Sequence, residues 1–277
     1  MKNFIKLTNF EINRMSKVLF SLMAFMLVVQ IGGVIYESLD YLNRVEERMM
    51  EQQLTRAEVL DSIGPMSFHP IINGIFFIGP IFICVGAILF YIFLIWYRDW
   101  FGKNTFIYRL LMLPTERINI YLSKLAAIVM ATLSLVAFQL MAILVERFVF
   151  QMMVPDDLRT DDSITNLIVN SMTGQLFIPN GFDAFLLIYG VGVMTVMVLF
   201  TMILFERSYR FKGIAFGVLY GLLSVALFIS PMILNELFLD KYFYLNELVW
   251  IEVIVGLIIM AVSTWVSFKL LKDKINV

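Results

Sequence analysis

Six apolar runs, each near the roughly 20 residues that cross a bilayer as a helix, recur along the chain at 18–36, 71–97, 125–145, 184–205, 214–234 and 249–268. Polar segments separate them. The pattern predicts an all-α polytopic membrane protein with six transmembrane helices. The second run carries Gly79-Pro80, which predicts tilt or a kink. The fifth carries Ser230-Pro231 near its end, which predicts a break there and leaves a re-entrant turn open. Ahead of the first run, 1–17 is amphipathic. At about 100° per residue, Phe4, Ile5, Leu7, Phe10, Ile12, Met15 and Val18 share one arc, and Lys2, Lys6, Asn9, Asn13 and Lys17 lie opposite. This predicts an interface helix with its lysines at anionic headgroups, followed by a transmembrane domain over 18–277. Glu11 and Arg14 interrupt the apolar arc. Three positions apart, they can pair, either at the surface or docked against a polar connection.

Composition agrees with the pattern. Of 277 residues, 60% are hydrophobic and 16% charged, where a soluble domain carries about a quarter charged. The N-terminus, 98–124, 206–213 and the C-terminal tail hold four, five, three and three of the 21 Lys and Arg. The connections at 37–70, 146–183 and 235–248 are poorer in cations, and the first two are rich in acids. The positive-inside rule therefore predicts cytoplasmic termini, a cytoplasmic 98–124 and three extracellular elements, in a multi-pass protein of the cell membrane, of bacterial plasma-membrane type. Within the first extracellular element, 40–65 has helical spacing and a Gly64-Pro65 stop. It reads as a cap over the spans, or as a gate or contact for an exported substrate.

Candidate chemistry is sparse. Cys84 is the one cysteine and lies in an apolar run, so it reads as a buried thiol. His69 is the one histidine. No phosphate loop, zinc-protease or nucleophile-elbow pattern is present, so catalytic residues, a metal site and a nucleic-acid partner are not expected. Gln30 and Gln139 lie inside the first and third spans. They either line a substrate path or hydrogen-bond a neighbouring helix. Gly213, Gly217 and Gly221 fall four apart on one stripe of the fifth span, a pattern for close helix packing.

The segment 98–124, "RDWFGKNTFIYRLLMLPTERINIYLSK", mixes cations with leucines around one proline. Pro114 lacks a backbone donor and biases Leu113 away from helix. This predicts a short helix over 103–112 and a turn at Leu113-Pro114. A second helix should start at Pro114, with Glu116 in its first turn, and run into the third span. The first helix presents Phe106, Leu110 and Leu113 on one side, with Lys103 and Arg109 among its polar positions. A short helix fused through a rigid turn to a span is a lever.

These residues resemble the second cytoplasmic connection of ABC-2 type transporter permeases. Leu111, Leu113, Pro114, Thr115, Arg117 and Lys124 follow in that family's order, and its layout is likewise six spans with cytoplasmic termini and an amphipathic first helix. Phe101-Gly102-Lys103 departs from the acidic-Gly pair that many members carry. The resemblance implies the membrane subunit of an ABC exporter, with no ATPase site of its own. It implies a coupling helix whose surroundings (Lys103, Tyr108, Arg109, Leu111, Leu113, Pro114, Thr115, Glu116 and Arg117) meet a separate ATP-binding subunit that holds ATP and Mg. A second permease subunit, identical or different, would complete the unit amid membrane lipid. A lining rich in Phe and Met suits a hydrophobic or amphipathic cargo, whether peptide, lipid or drug. The alternative is a non-transporting scaffold or sensor that binds an extracellular ligand.

Overall fold

The computed structural model describes residues 2–53, 55–101, 107, 110, 112, 116–238 and 242–274. In chain order these form α1 (Lys2–Gln52), α2 (Arg56–Ile63), β1 (Met66–Ser67), α3 (His69–Ile72), α4 (Ile75–Trp100), α5 (Ile118–Met153), a 3-10 turn (Asp156–Leu158), β2 (Arg159–Thr160), α6 (Ile164–Asn170), α7 (Met172–Phe177), α8 (Phe182–Tyr209), α9 (Phe211–Leu237) and α10 (Leu245–Asp273). The protein is helical with almost no strand, and six stretches are long and apolar enough to span a membrane: α1, α3 with α4, α5, α8, α9 and α10.

Several boundaries differ from the sequence expectation. The 1–17 segment is not a separate helix. Nothing between Lys2 and Ile31 is Gly or Pro, so α1 continues without a break for 51 residues. It ends only where Gln53 takes a φ of +53°. The fifth span does not break at Pro231, which lies inside α9. Proline leaves the carbonyl four residues back without its usual donor. Here that carbonyl belongs to Leu227, and the Ser230 hydroxyl donates to it at 2.8 Å. The helix before the third span begins at Ile118, not at Pro114. Asn119 N–H donates to Glu116 O at 2.9 Å and Ile120 N–H to Arg117 O at 3.1 Å, so Glu116 and Arg117 form a turn ahead of it.

The chain divides into two compact units. Unit one comprises 1–15, 87–131 and 179–277. In it α8, α9 and α10 pack on one another. The α8–α9 connection is the single residue Arg210, with φ +54° and ψ −129°. So tight a reversal brings α9 against the end of α8, and a Cβ on Gly213 would fall 2.1 Å from Phe205 O. Hydroxyls tie the three helices further on. Thr201 Oγ1 is 2.9 Å from Ser267 Oγ, and Tyr220 Oη is 2.6 Å from Ser263 Oγ. Phe200 sits at the centre of the aromatic core, with Trp96 and Tyr121 edge-on to it at 5.4 and 5.6 Å.

Unit two comprises 16–86 and 132–178. Its core includes Val34, Tyr41 and Val45 of α1, Phe77 of α4, and Ile143 and Phe150 of α5, joined by Val59, Phe68, Leu158 and Leu167 from the connections. The connections are therefore folded onto the ends of the long helices. Tyr41 Oη donates to Gly64 O at 3.0 Å and Leu158 O at 3.3 Å. The short strands pair in parallel, Met66 with Arg159 and Ser67 with Thr160, which hydropathy gave no reason to expect. Arg159 caps the end of α5 by donating to Gln151 O and Val154 O at 2.9 and 2.7 Å.

Candidate functional site

The densest polar chemistry inside unit one is an ion cluster built from three helices. Glu11 and Arg14 come from α1, Arg98 and Asp99 from the last turn of α4, and Lys124 from the second turn of α5. Lys124 is fully buried, and its Nζ donates to Glu11 Oε1 at 2.8 Å, Asp99 Oδ2 at 2.5 Å and Ile95 O at 2.8 Å. All three ammonium donors are thus used. Arg14 Nη1 donates to Asp99 Oδ1 at 2.9 Å, and Arg98 Nη2 to Glu11 Oε2 at 3.1 Å. The Trp96 ring lies 5.3 Å from Lys124 Nζ, within cation–π range.

Local sequence explains how each side chain reaches the cluster. Thr8, Glu11 and Met15 are the buried residues of the first turns of α1. They recur at three and four residues, so they form one stripe. Ile5, Phe10 and Val18 of the proposed apolar arc remain exposed. The pair expected between Glu11 and Arg14 exists, but at 3.8 Å it is the longest ion pair in the cluster. Each has a shorter bond to a residue far along the chain. The sequence marks Lys124 only as part of the family's motif and gives Arg98 and Asp99 no role. Lone charges at the edges of apolar runs were the available signal, since such groups are rarely buried unless paired.

Asp99 and Lys124 lie near the two ends of the 98–124 segment, so their bond closes it. Within that segment Lys103, Tyr108, Arg109, Leu111, Leu113, Pro114 and Thr115 lie outside the described residues. Ile107 and Leu110 are buried, and Met112 is exposed. Arg117 Nη1 donates to Leu271 O at 2.6 Å, in the last turn of α10, where carbonyls lack helical donors and a cation is favoured. Glu116 precedes it in the turn. A second group lies at the same end of α4. Tyr97 Oη donates to Glu206 Oε2, and the Arg207 guanidinium lies over the Tyr97, Trp100 and Phe101 rings at 4.5, 5.6 and 5.3 Å.

The remaining sequence candidates fall in two places. Gln30 and Gln139, both buried in unit two, meet directly: Gln30 Nε2 donates to Gln139 Oε1 and to Phe77 O, each at 3.1 Å. Gly213, Gly217 and Gly221 all face α8 of the same chain. A groove of 590 Å³ opens in unit two beside Val45, Met49 and Met50, with Glu46 and Arg56 at its walls. Among the described residues no group of three or more His, Cys, Asp or Glu is placed to hold a metal ion.

Six apolar helices of this length define a multi-pass membrane protein. No known family, curated protein or solved structure matches the chain.

Proposed function

We propose that this chain is the permease subunit of an ATP-driven ABC exporter that moves a hydrophobic or amphipathic substrate with a separate ATP-binding subunit. The observation that carries the reading is the buried ion cluster. It clamps both ends of 98–124 to the N-terminal helix, while Arg117 ties the same segment to α10. A loop that only set topology would need no such anchoring, because exposed Lys and Arg already do that. A segment that receives mechanical work needs rigid attachment at both ends, and the buried, paired charges of Glu11, Asp99 and Lys124 resist displacement because separating them exposes each to an apolar interior. On this reading 98–124 and both termini are cytoplasmic. The ATP-binding subunit pushes on 103–112, and α5 and α10 move with it. Two such permease subunits, identical or different, enclose the path in the cell membrane, and ATP and Mg stay on the partner.

The test is recovery of the tagged chain from its native host in mild detergent. A nucleotide-binding chain should co-purify and hydrolyse ATP, and Leu111→Asp with Leu113→Asp should lose it while membrane insertion is kept. Undiminished partner binding and ATP hydrolysis in the double variant would overturn the coupling assignment. The groove beside Met49 and Met50 favours a second reading, a sensor that takes an apolar ligand outside the cell. A sensor purifies without a nucleotide-binding chain.

A further inference from the structure

Unit two contains a buried acid that no described residue neutralises. Glu146 of α5 is 0% exposed, and neither carboxylate oxygen has a hydrogen-bond partner. Among the described residues no Lys, Arg or His lies within ion-pair distance, Arg147 included. Ser38 of α1 is also 0% exposed, and its Oγ has no partner. Polar groups buried at this depth are nearly always hydrogen-bonded, so two such groups in one core need a reason.

Their placement supplies one. In unit two α1 and α5 run in the same direction: Gln30 meets Gln139, and Tyr41 further along α1 reaches Leu158 beyond the end of α5. Ser38 lies between Val34 and Tyr41 at helical spacing, and Glu146 lies between Ile143 and Phe150. All four flanking residues belong to one core. Hydroxyl and carboxyl therefore face the same interior at about the same level, some 10–12 Å along the axes from the glutamine pair at about 1.5 Å per residue. At the glutamine level Gln30 Oε1 and Gln139 Nε2 are likewise buried without partners. The result is two polar levels within an apolar wall.

We propose that Glu146, with Ser38 beside it, binds the ammonium group of a cationic amphiphile. An ionised carboxylate without a partner is too costly to hold in an apolar interior, so Glu146 calls for a cation beside it. A primary amine that takes up the carboxyl proton, or an ammonium that displaces it to water, supplies the positive charge and the donors that both oxygens and the Ser38 hydroxyl lack. The cargo class rests on the export reading. The site does not, because binding is measured on the chain alone.

The buried carboxyl is itself the handle for the test. N,N′-dicyclohexylcarbodiimide is hydrophobic and adds a carboxylic acid across its C=N bond, and the adduct rearranges to a stable N-acylurea with no leaving group. The purified chain in non-ionic detergent should be labelled at Glu146 by peptide mass spectrometry. Dodecylamine should cut total modification of Glu146 several-fold, counting both the N-acylurea and the N-dodecyl amide that forms if the amine displaces dicyclohexylurea from the adduct; dodecanol at the same concentration should not, and Ser38→Ala should weaken the protection. In parallel, dodecylamine should raise the melting temperature of the wild type but not of Glu146→Gln, whose neutral isostere is expected to fold. Equal labelling with and without the amine, equal protection by the alcohol, or a melting shift that survives Glu146→Gln would each overturn the site. If protection holds but no nucleotide-binding chain co-purifies, the export reading fails and the site stands. If a nucleotide-binding chain co-purifies but the amine gives no protection, the reverse follows.

Discussion

Lys124 Nζ lies 2.5 Å from Asp99 Oδ2, with both side chains at 0% exposure and the two residues 25 positions apart. The same nitrogen bonds Glu11, so removing Lys124 takes a partner from each of two buried carboxylates, leaving Glu11 to Arg98 and Asp99 to Arg14. Breaking a buried pair on one side costs about 3–5 kcal/mol. Lys124→Met is therefore expected to lower stability by up to about that much, read by chemical unfolding of the purified protein in detergent. Adding Asp99→Asn and Glu11→Gln should recover most of the loss, since buried charges replaced together can be neutral. Arg44→Met is the control. The Arg44 side chain and that of its partner Asp40 are each about half exposed, so the loss should stay within about 1 kcal/mol. Equal losses for Lys124→Met and Arg44→Met would show that the cluster is not buried.

Charge reversal should expose how the cluster is wired. If Glu11 and Arg14 were partners only of each other, exchanging them would restore the bond. Glu11 instead faces Arg98 and Lys124, and Arg14 faces Asp99. The exchange Glu11→Arg with Arg14→Glu puts a cation against two cations and an acid against an acid. The double variant is thus expected to be at least as unstable as the worse single one. Partial rescue would return the two residues to a local surface pair.

Much of the architecture was legible in the pattern of the chain. Bilayer-length apolar runs need only composition to be seen, and all six are helices. Connections were legible only in part. The acidic 146–183 stretch owes its fold to Arg159, Tyr41 and a two-residue strand pairing, each a contact with residues far along the chain. The ion cluster was hidden for the same reason, because no local spacing links Glu11, Asp99 and Lys124. Glu146 was hidden by a single residue. The apolar run stops at 145, so the acid falls among the connection's charges, yet Gln139 and Glu146 are seven apart and share a helix face.

The glycine stripe gives a steric prediction. A Cβ on Gly217 would meet Met202 O at 3.0 Å and Met202 Cα at 3.3 Å, both backbone atoms that cannot swing aside. Gly217→Leu is expected to push α9 from α8 and cost about 1–3 kcal/mol or more, read as a lower melting temperature in detergent. Gly217→Ala should cost less. Phe216 is half exposed, so Phe216→Leu should change little. An unchanged melting temperature for Gly217→Leu would mean that the stripe does not hold α8.

The start of α2 should respond to acid. Thr55 N–H and Oγ1 both donate to Glu58 Oε2 at 2.7 Å, and these bonds hold the carboxyl below its ordinary range. The depressed folded value makes the sign definite. The cap is fully present above the unfolded pKa, about 4.3, and is lost as pH falls through the lower folded value. Amide exchange over 55–60 should therefore rise on acidification in the wild type relative to Glu58→Gln, which cannot titrate. Parallel exchange profiles in the two proteins would rule out the carboxylate as the cap.

The α8–α9 turn should tolerate, and reward, a change that simplifies it. Arg210 holds φ +54° with ψ −129°, a backbone region that side-chain-bearing residues avoid and glycine enters freely. Such strain costs about 1–3 kcal/mol. The turn persists because it starts α9: Gly213 N–H and Ile214 N–H both bond to Arg210 O, at 2.9 and 3.3 Å. Arg210→Gly relieves the strain but also loosens the unfolded chain, which takes back about 0.4–1 kcal/mol. The net expectation is a gain near 1 kcal/mol in unfolding free energy. Arg210→Ala removes the same side chain without the relief and should give no gain, so it separates backbone strain from loss of the guanidinium. If glycine and alanine shift stability alike, the positive φ is not strained and the reversal is held by its side chains.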